Sequence, residues 1–172
     1  LLTQLEASEI SVTESVRLAR RYGKTVVLNP APAGEIDEAL FRDIDYFTPN
    51  ETEAEFYTGI RVADEQTAEQ AADRLLEKGV KNVVITLGKT GVYAKTEEFQ
   101  GIVPSFRVNA VDTTGAGDAF NGGFCTALAE GKNVRDALLF ANALAALSVT
   151  RRGTSPAMPY REEIEKLLKG GN

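Results

Sequence analysis

The chain has no histidine and only one cysteine among its 172 residues. Without histidine there can be no Ser-His-Asp hydrolysis, no Cys-His proteolysis and no histidine-ligated zinc. Acid–base chemistry must therefore fall to carboxylates, lysine or tyrosine. The lone cysteine, Cys125, excludes an internal disulfide; it lies in an apolar helical pattern, reads as core, and fits a reducing cytoplasm. No apolar run approaches membrane-spanning length, and no signal peptide is visible. The net charge of −6 comes without any basic cluster, which argues against nucleic acid or a membrane surface as partner. The hydrophobic content, 43%, is ordinary for a globular protein, and the length suffices for one domain with a real core.

Strand and helix patterns alternate along the chain. Residues 1–6 read as a strand ending in Glu6, and Ser11 and Glu14 read as a capping box opening a helix that Gly23 stops. Short apolar strands follow at 25–28 and 46–48, with a proline-rich loop at 29–34 after the first. Asn50 opens a helix. Ala68, Ala71, Ala72, Leu75 and Leu76 form one helical stripe. Residues 82–87 form an apolar strand that pairs with 91–95 across a glycine turn, and 99–111 read as two short strands around Pro104. Helices are expected at 116–129, 134–150 and 161–168. This alternation implies a parallel sheet covered on both faces. Ligands in such sheets bind beyond the carboxyl ends of the strands, where Glu6, Asn29, Asn50 and Gly88 fall.

The most informative stretch runs from Asp112 to Phe124, DTTGAGDAFNGGF. It is a glycine-rich turn leading straight into an apolar helix. Small residues let a ligand approach the backbone, and the N–H groups of Ala116, Gly117 and Asp118 at the helix start can face an anion. A carboxylate there would repel a phosphate, so Asp118 makes sense as a base taking a proton from an attacking hydroxyl. The alternative is an aspartate placed for the helix dipole alone. A dinucleotide fingerprint would need glycine where Phe120 stands, and the run does not end in the Gly-Lys-Ser/Thr of a P-loop.

Four other places stand out. Asn50 and Glu53 share a helix face and are either a cap with an acidic first turn or an oxygen-donor pair. Thr86, Leu87, Gly88, Lys89, Thr90 and Gly91 read as an ordinary hairpin turn between two strands. Asn142, in an alanine-rich helix, reads as an exposed or internally bonded amide that needs a partner if buried. Glu6 reads as a surface carboxylate at a strand end.

The pattern D-T-x-G-A-G-D, complete from Asp112 to Asp118, resembles the C-terminal signature of the PfkB family of ribokinase-like carbohydrate kinases. The runs LNPAPA at 28–33, TPNETEAE at 48–55 and VTRRG at 149–153 strengthen the resemblance, which extends from Leu1 to about Leu168. It implies a three-layer α/β/α fold with a mostly parallel central sheet, ribokinase-like and Rossmann-like. Family members are nearly twice this long, so residues 1–172 resemble the C-terminal, nucleotide-binding portion of one kinase domain, without the N-terminal part and the lid. The implied reaction is transfer of the γ-phosphate of ATP to a sugar hydroxyl, the 5-hydroxyl of D-ribose to give D-ribose 5-phosphate. Another sugar or nucleoside, or a nucleotide-binding piece without turnover, is the alternative.

The resemblance also assigns roles. Asp118 is the catalytic base and touches substrate and nucleotide, beside an anion hole of Gly115, Ala116 and Gly117. Asn50, residues Thr86 to Gly91, Gly117 and Asn142 bind nucleotide, with Asn142 at the adenine edge. Asn50 and Glu53 hold Mg2+ through water. Asp112, Thr114, Ser148, Arg151, Gly153 and Ala157 form a K+ loop, largely by backbone carbonyls, while Arg152 reads as a plain helix C-terminal charge. Glu6 reaches the sugar. The partners are then a small-molecule sugar and ATP, in a cytoplasmic enzyme that is homodimeric when full length.

Overall fold

The computed structural model describes residues 1–170. Its elements alternate as the sequence predicts: β1 (Leu2–Gln4), α1 (Glu9–Arg21), β2 (Val27–Asn29), β3 (Tyr46–Phe47), α2 (Glu51–Thr58), α3 (Glu65–Glu77), β4 (Asn82–Thr86), β5 (Gly91–Lys95), β6 (Gln100–Pro104), α4 (Ala116–Ala129), α5 (Val134–Ser148) and α6 (Arg161–Gly170). The strands form one six-stranded sheet in chain order. The first four are parallel, with Leu2 opposite Val27, Val27 opposite Tyr46 and Tyr46 opposite Asn82. No described helix is long and apolar enough to cross a membrane.

The chain divides into two compact units, one of Leu1–Leu87 with Tyr93–Ile102, the other of Gly88–Val92 with residues from Val103 onward. In the first unit, Val83, Val84 and Ile85 of β4 are wholly buried, as expected of an interior parallel strand whose two faces are both covered. Val16 of α1, Leu28 of β2, Phe47 of β3 and Ala68, Ala71, Ala72 and Leu75 of α3 complete this core. Phe47 meets Tyr57 edge to face at 5.3 Å between centroids. In the second unit α4 packs closely on α5. A Cβ on Gly123 would stand 3.1 Å from the Ala141 Cα, so the glycine is what permits this approach. Cys125 belongs to the same helix but is only half-buried, not the core residue the sequence suggests; that partial burial still pushes its thiol up to about 11.

Three local expectations are corrected. Helix α1 begins earlier than the Ser11–Glu14 pattern indicates: Ser8 is its cap, accepting from the Ser11 N–H at 3.3 Å, and Glu14 pairs with Arg17 instead. Two serines at helical spacing offer two starts, and burial of Val12 and Val16 places both inside the helix. Residues 99–111 supply one strand, β6, rather than two. A short 3-10 helix at Glu38–Asp43, capped by Asp37 and burying Leu40 and Phe41, was not expected.

Candidate active site

In the second unit, the Asp112–Asp118 turn becomes helix α4 through Gly115, which adopts φ +77°. An L-residue there is strained, and a Cβ would also stand 3.1 Å from the Thr154 methyl carbon. Helices α1, α2, α3 and α5 each have a side chain accepting from the first turn: Ser8, Asn50, Asp64 and Asn133. Helix α4 has no such cap. Gly117, in its first turn, is exposed, with nothing within 4 Å of the place a Cβ would take. An uncapped first turn with an open approach fits an anion such as phosphate. One predicted donor is lost to this role, because the Ala116 N–H is bonded to the Thr113 carbonyl at 3.2 Å. Asp118 lies exposed on the same first turn.

Asp112 holds this turn to the segment after α5. Its Oδ1 accepts from the Thr114 N–H at 3.0 Å and its Oδ2 from the Gly153 N–H at 3.0 Å. These N–H groups, Gly153 first, with the Arg152 charge in addition, pull the carboxyl down to about 2. The Val149 carbonyl accepts from both the Val111 and Asp112 N–H groups, at 2.7 and 3.1 Å. The structure thereby lays Asp112 and Thr114 alongside Gly153. Ser148 is buried and its hydroxyl donates to the Ala145 carbonyl. Ala157 is buried in a short 3-10 turn.

The Gly88–Thr90 turn is exposed, and the Ser105 N–H donates to the Thr90 carbonyl at 3.3 Å. Gly91 has φ +115°, and a Cβ on it would stand 2.2 Å from the Val103 carbonyl oxygen. Asn142, only 4% exposed, spends both amide protons within the unit, on the Val103 carbonyl at 2.9 Å and the Pro104 carbonyl at 3.2 Å. Its internal, structural use is therefore established by geometry, and only its Oδ1 is left to meet a base.

In the first unit, Glu6 lies in the exposed turn after β1 and Asn29 ends β2. Asn29 is buried and structural: it donates to the Thr48 carbonyl and accepts from Gln4. Asn50 and Glu53 form a reciprocal capping box on α2. Asn50 Oδ1 accepts the Glu53 N–H, and Glu53 Oε2 accepts the Asn50 N–H, both at 2.8 Å. Burial pushes the Glu53 carboxyl up, partly offset by the Asn50 N–H. One oxygen of each side chain is thus committed to the helix, and Glu53 keeps Oε1 for a further partner. Thr86 donates its N–H to the Pro49 carbonyl and Leu87 is buried beside it in sequence.

Two residues of the second unit escape a reading of the sequence. The Thr154 side chain faces the side of Gly115 where a Cβ would stand, and Glu163 binds the Arg151 guanidinium. The acidic pair Glu162-Glu163 at a helix start is an ordinary dipole pattern, which hides the second role.

The sequence matches the pfkB family of carbohydrate kinases over residues 2–161. It is 47% identical to a ribokinase of Haemophilus influenzae, across 98% of this chain and 55% of that protein. The structure superposes on ribokinase of Thermotoga maritima with a TM-score of 0.88 at 43% identity, covering 98% of this chain and 56% of that one. Ribokinase of Arabidopsis thaliana, complexed with ribose and ATP, gives a TM-score of 0.91 at 33% identity over 98% and 55% of the two chains. The chain belongs to the pfkB carbohydrate kinase family. Its fold is the ribokinase-like α/β fold, a mixed six-stranded sheet with helices on both sides. The chain spans about half the length of the curated relatives it matches.

Proposed function

We propose that this chain carries the phosphate-handling part of an ATP-dependent kinase that phosphorylates the 5-hydroxyl of D-ribose, giving D-ribose 5-phosphate. The observation that carries the reading is the uncapped, open first turn of α4 with a carboxylate on it, in a chain 47% identical to a ribokinase. Asp118 accepts the proton of the sugar hydroxyl as that oxygen attacks the γ-phosphate in line. N–H groups of the Gly115–Asp118 turn, with Gly117 foremost, stabilise charge on the transferred phosphoryl oxygens. Lys89, in the exposed Gly88–Thr90 turn, adds a cation toward the nucleotide phosphates.

Asn50 and Glu53 would hold Mg2+, mostly through water, with Glu53 Oε1 the side-chain oxygen that the capping box leaves uncommitted. The ion supplies neutralisation of phosphate charge. Asp112, Thr114, Ser148, Arg151, Gly153 and Ala157 would hold K+. Glu6 reaches for a sugar hydroxyl. A homodimeric, cytoplasmic protein without nucleic-acid or membrane partners completes the reading, supported by family resemblance for the dimer, by the charge of −6 without a basic cluster for the partners, and by the lone cysteine for a reducing compartment.

The test is ATP-dependent phosphorylation of D-ribose, with magnesium and potassium, by the full-length protein and by the 172-residue chain. Turnover by the full-length protein is the expected result. Nucleotide binding with no ribose turnover in either would remove ribose as substrate and turn attention to other sugars and nucleosides.

A further inference from the structure

The second unit contains a tie that runs from its last helix to the anion-binding turn. Helix α6 is fixed on its own account. Ile164 is buried, and the Arg161 guanidinium pairs with Glu130 and stands 5.6 Å from the Phe140 ring centroid. From this fixed helix the Glu163 carboxylate takes the Arg151 guanidinium in a two-pronged pair, and its Oε2 also accepts the Tyr160 N–H at 2.9 Å. Arg151 belongs to the segment after α5 whose Gly153 N–H binds Asp112 and whose Thr154 methyl lies against Gly115.

We infer that Glu163 is a positioning residue for phosphoryl transfer. Through Arg151 it fixes the 149–154 segment, and through Asp112 and Thr154 that segment fixes the shape of the Gly115–Asp118 turn. The inference rests on the kinase reading for its effect on turnover. The physical case is one of precision against strength. Both partners of the pair are more than one-third exposed, at 39% and 36%, so the pair contributes little to global stability. Donors aimed at a transferring phosphoryl group, by contrast, must be placed to a fraction of an ångström. Loosening the tie should therefore show in kcat and not in unfolding.

The experiment compares Arg151→Ala, Glu163→Ala and the double variant in the full-length protein, with Glu162→Gln as a charge control on the same helix turn. Arg151→Ala leaves the Glu163 bond to Tyr160 intact, so its effect cannot come from fraying of α6. The expected result is a kcat loss of about tenfold in each single variant, with KM for the sugar unchanged. The double variant should be no worse than the poorer single one, since both remove one tie. Unfolding midpoints should stay within about 2 °C of wild type, and Glu162→Gln should behave as wild type. Amide exchange at 113–118 should quicken in the three tie variants while the α4–α5 pair is unchanged. Wild-type kcat in Arg151→Ala, multiplying losses in the double variant, or a kcat loss matched by lost stability would each overturn the inference. If the wild-type protein phosphorylates no sugar, the kinase reading falls, and unchanged exchange at 113–118 then overturns the tie as well.

Discussion

Asp112 and Gly153 lie 41 residues apart in sequence and meet through a hydrogen bond of 3.0 Å from the glycine N–H to the aspartate Oδ2. With the Thr114 N–H on the other oxygen, this bond holds the carboxyl ionised down to about pH 2. The sign follows from linkage. The folded value lies below the ordinary 3.8, so the stabilisation is present above that value and is lost as pH falls toward 2. A carboxyl-carbon titration by NMR should give Asp112 a midpoint near 2, with the Gly153 amide shift following it. A midpoint at the ordinary aspartate value would show the bond to be absent in solution.

Asp118→Asn keeps the size of the side chain and removes its basicity. Turnover of the full-length protein should drop about 10²–10⁴-fold, with nucleotide affinity little changed. Steady-state kinetics with a parallel nucleotide titration decide it. A variant within tenfold of wild type would remove Asp118 from the role of base.

The two glycines of the turn should respond oppositely to alanine. Gly115→Ala places a Cβ at φ +77° and 3.1 Å from Thr154, and should cost about 1–2 kcal/mol in urea unfolding. Gly117→Ala meets nothing within 4 Å and lies in a helix, so stability should hold or rise by about 0.5–1 kcal/mol. The added methyl should nevertheless weaken binding of a nucleotide phosphate, because it stands where the anion must approach. Equal stability losses in both variants would contradict the geometry.

Asn142→Ala strips two carbonyls of their donor, and the Val103 carbonyl is bonded in a buried setting. A loss of about 1–3 kcal/mol is expected in equilibrium unfolding without nucleotide. An unchanged unfolding midpoint, joined to a clear fall in ATP affinity, would show that the adenine contact outweighs the structural one.

Gly91→Ala forces a Cβ to 2.2 Å from the Val103 carbonyl, where backbone must shift. Gly88→Ala has positive φ but open space. The first should be the more destabilising by well over the roughly 1 kcal/mol expected of the second. Thermal unfolding of the two variants side by side checks the order.

Much of this was legible in the sequence because it depends on near neighbours. The glycine turn into α4, the α3 stripe and the strand–turn–strand around Gly88 each follow from residues within a few positions of one another. The cap on α2 was legible too, in Asn50 and Glu53, and the structure shows that box closed at both ends. What escaped depends on distant partners. Asn142 could be read as internally bonded, but its partner is a carbonyl 39 residues away, and Glu163 answers to an arginine 12 residues away. No local pattern announces either. The Ala116 N–H was lost to Thr113 through the tightness of a turn whose composition alone does not set its bonds.

The bond from Asp112 to Gly153 also has a consequence for the order in which the protein becomes competent during synthesis. The segment it closes contains both α4 and α5, so the residues of the helical pair are synthesised before the glycine of the clasp. A growing polypeptide that has reached residue 148 holds every residue of the D-T-x-G-A-G-D signature and of both long helices. It still lacks the glycine and the threonine that give the signature its shape. On a chain made from its N-terminus forward, this turn is written early and set late.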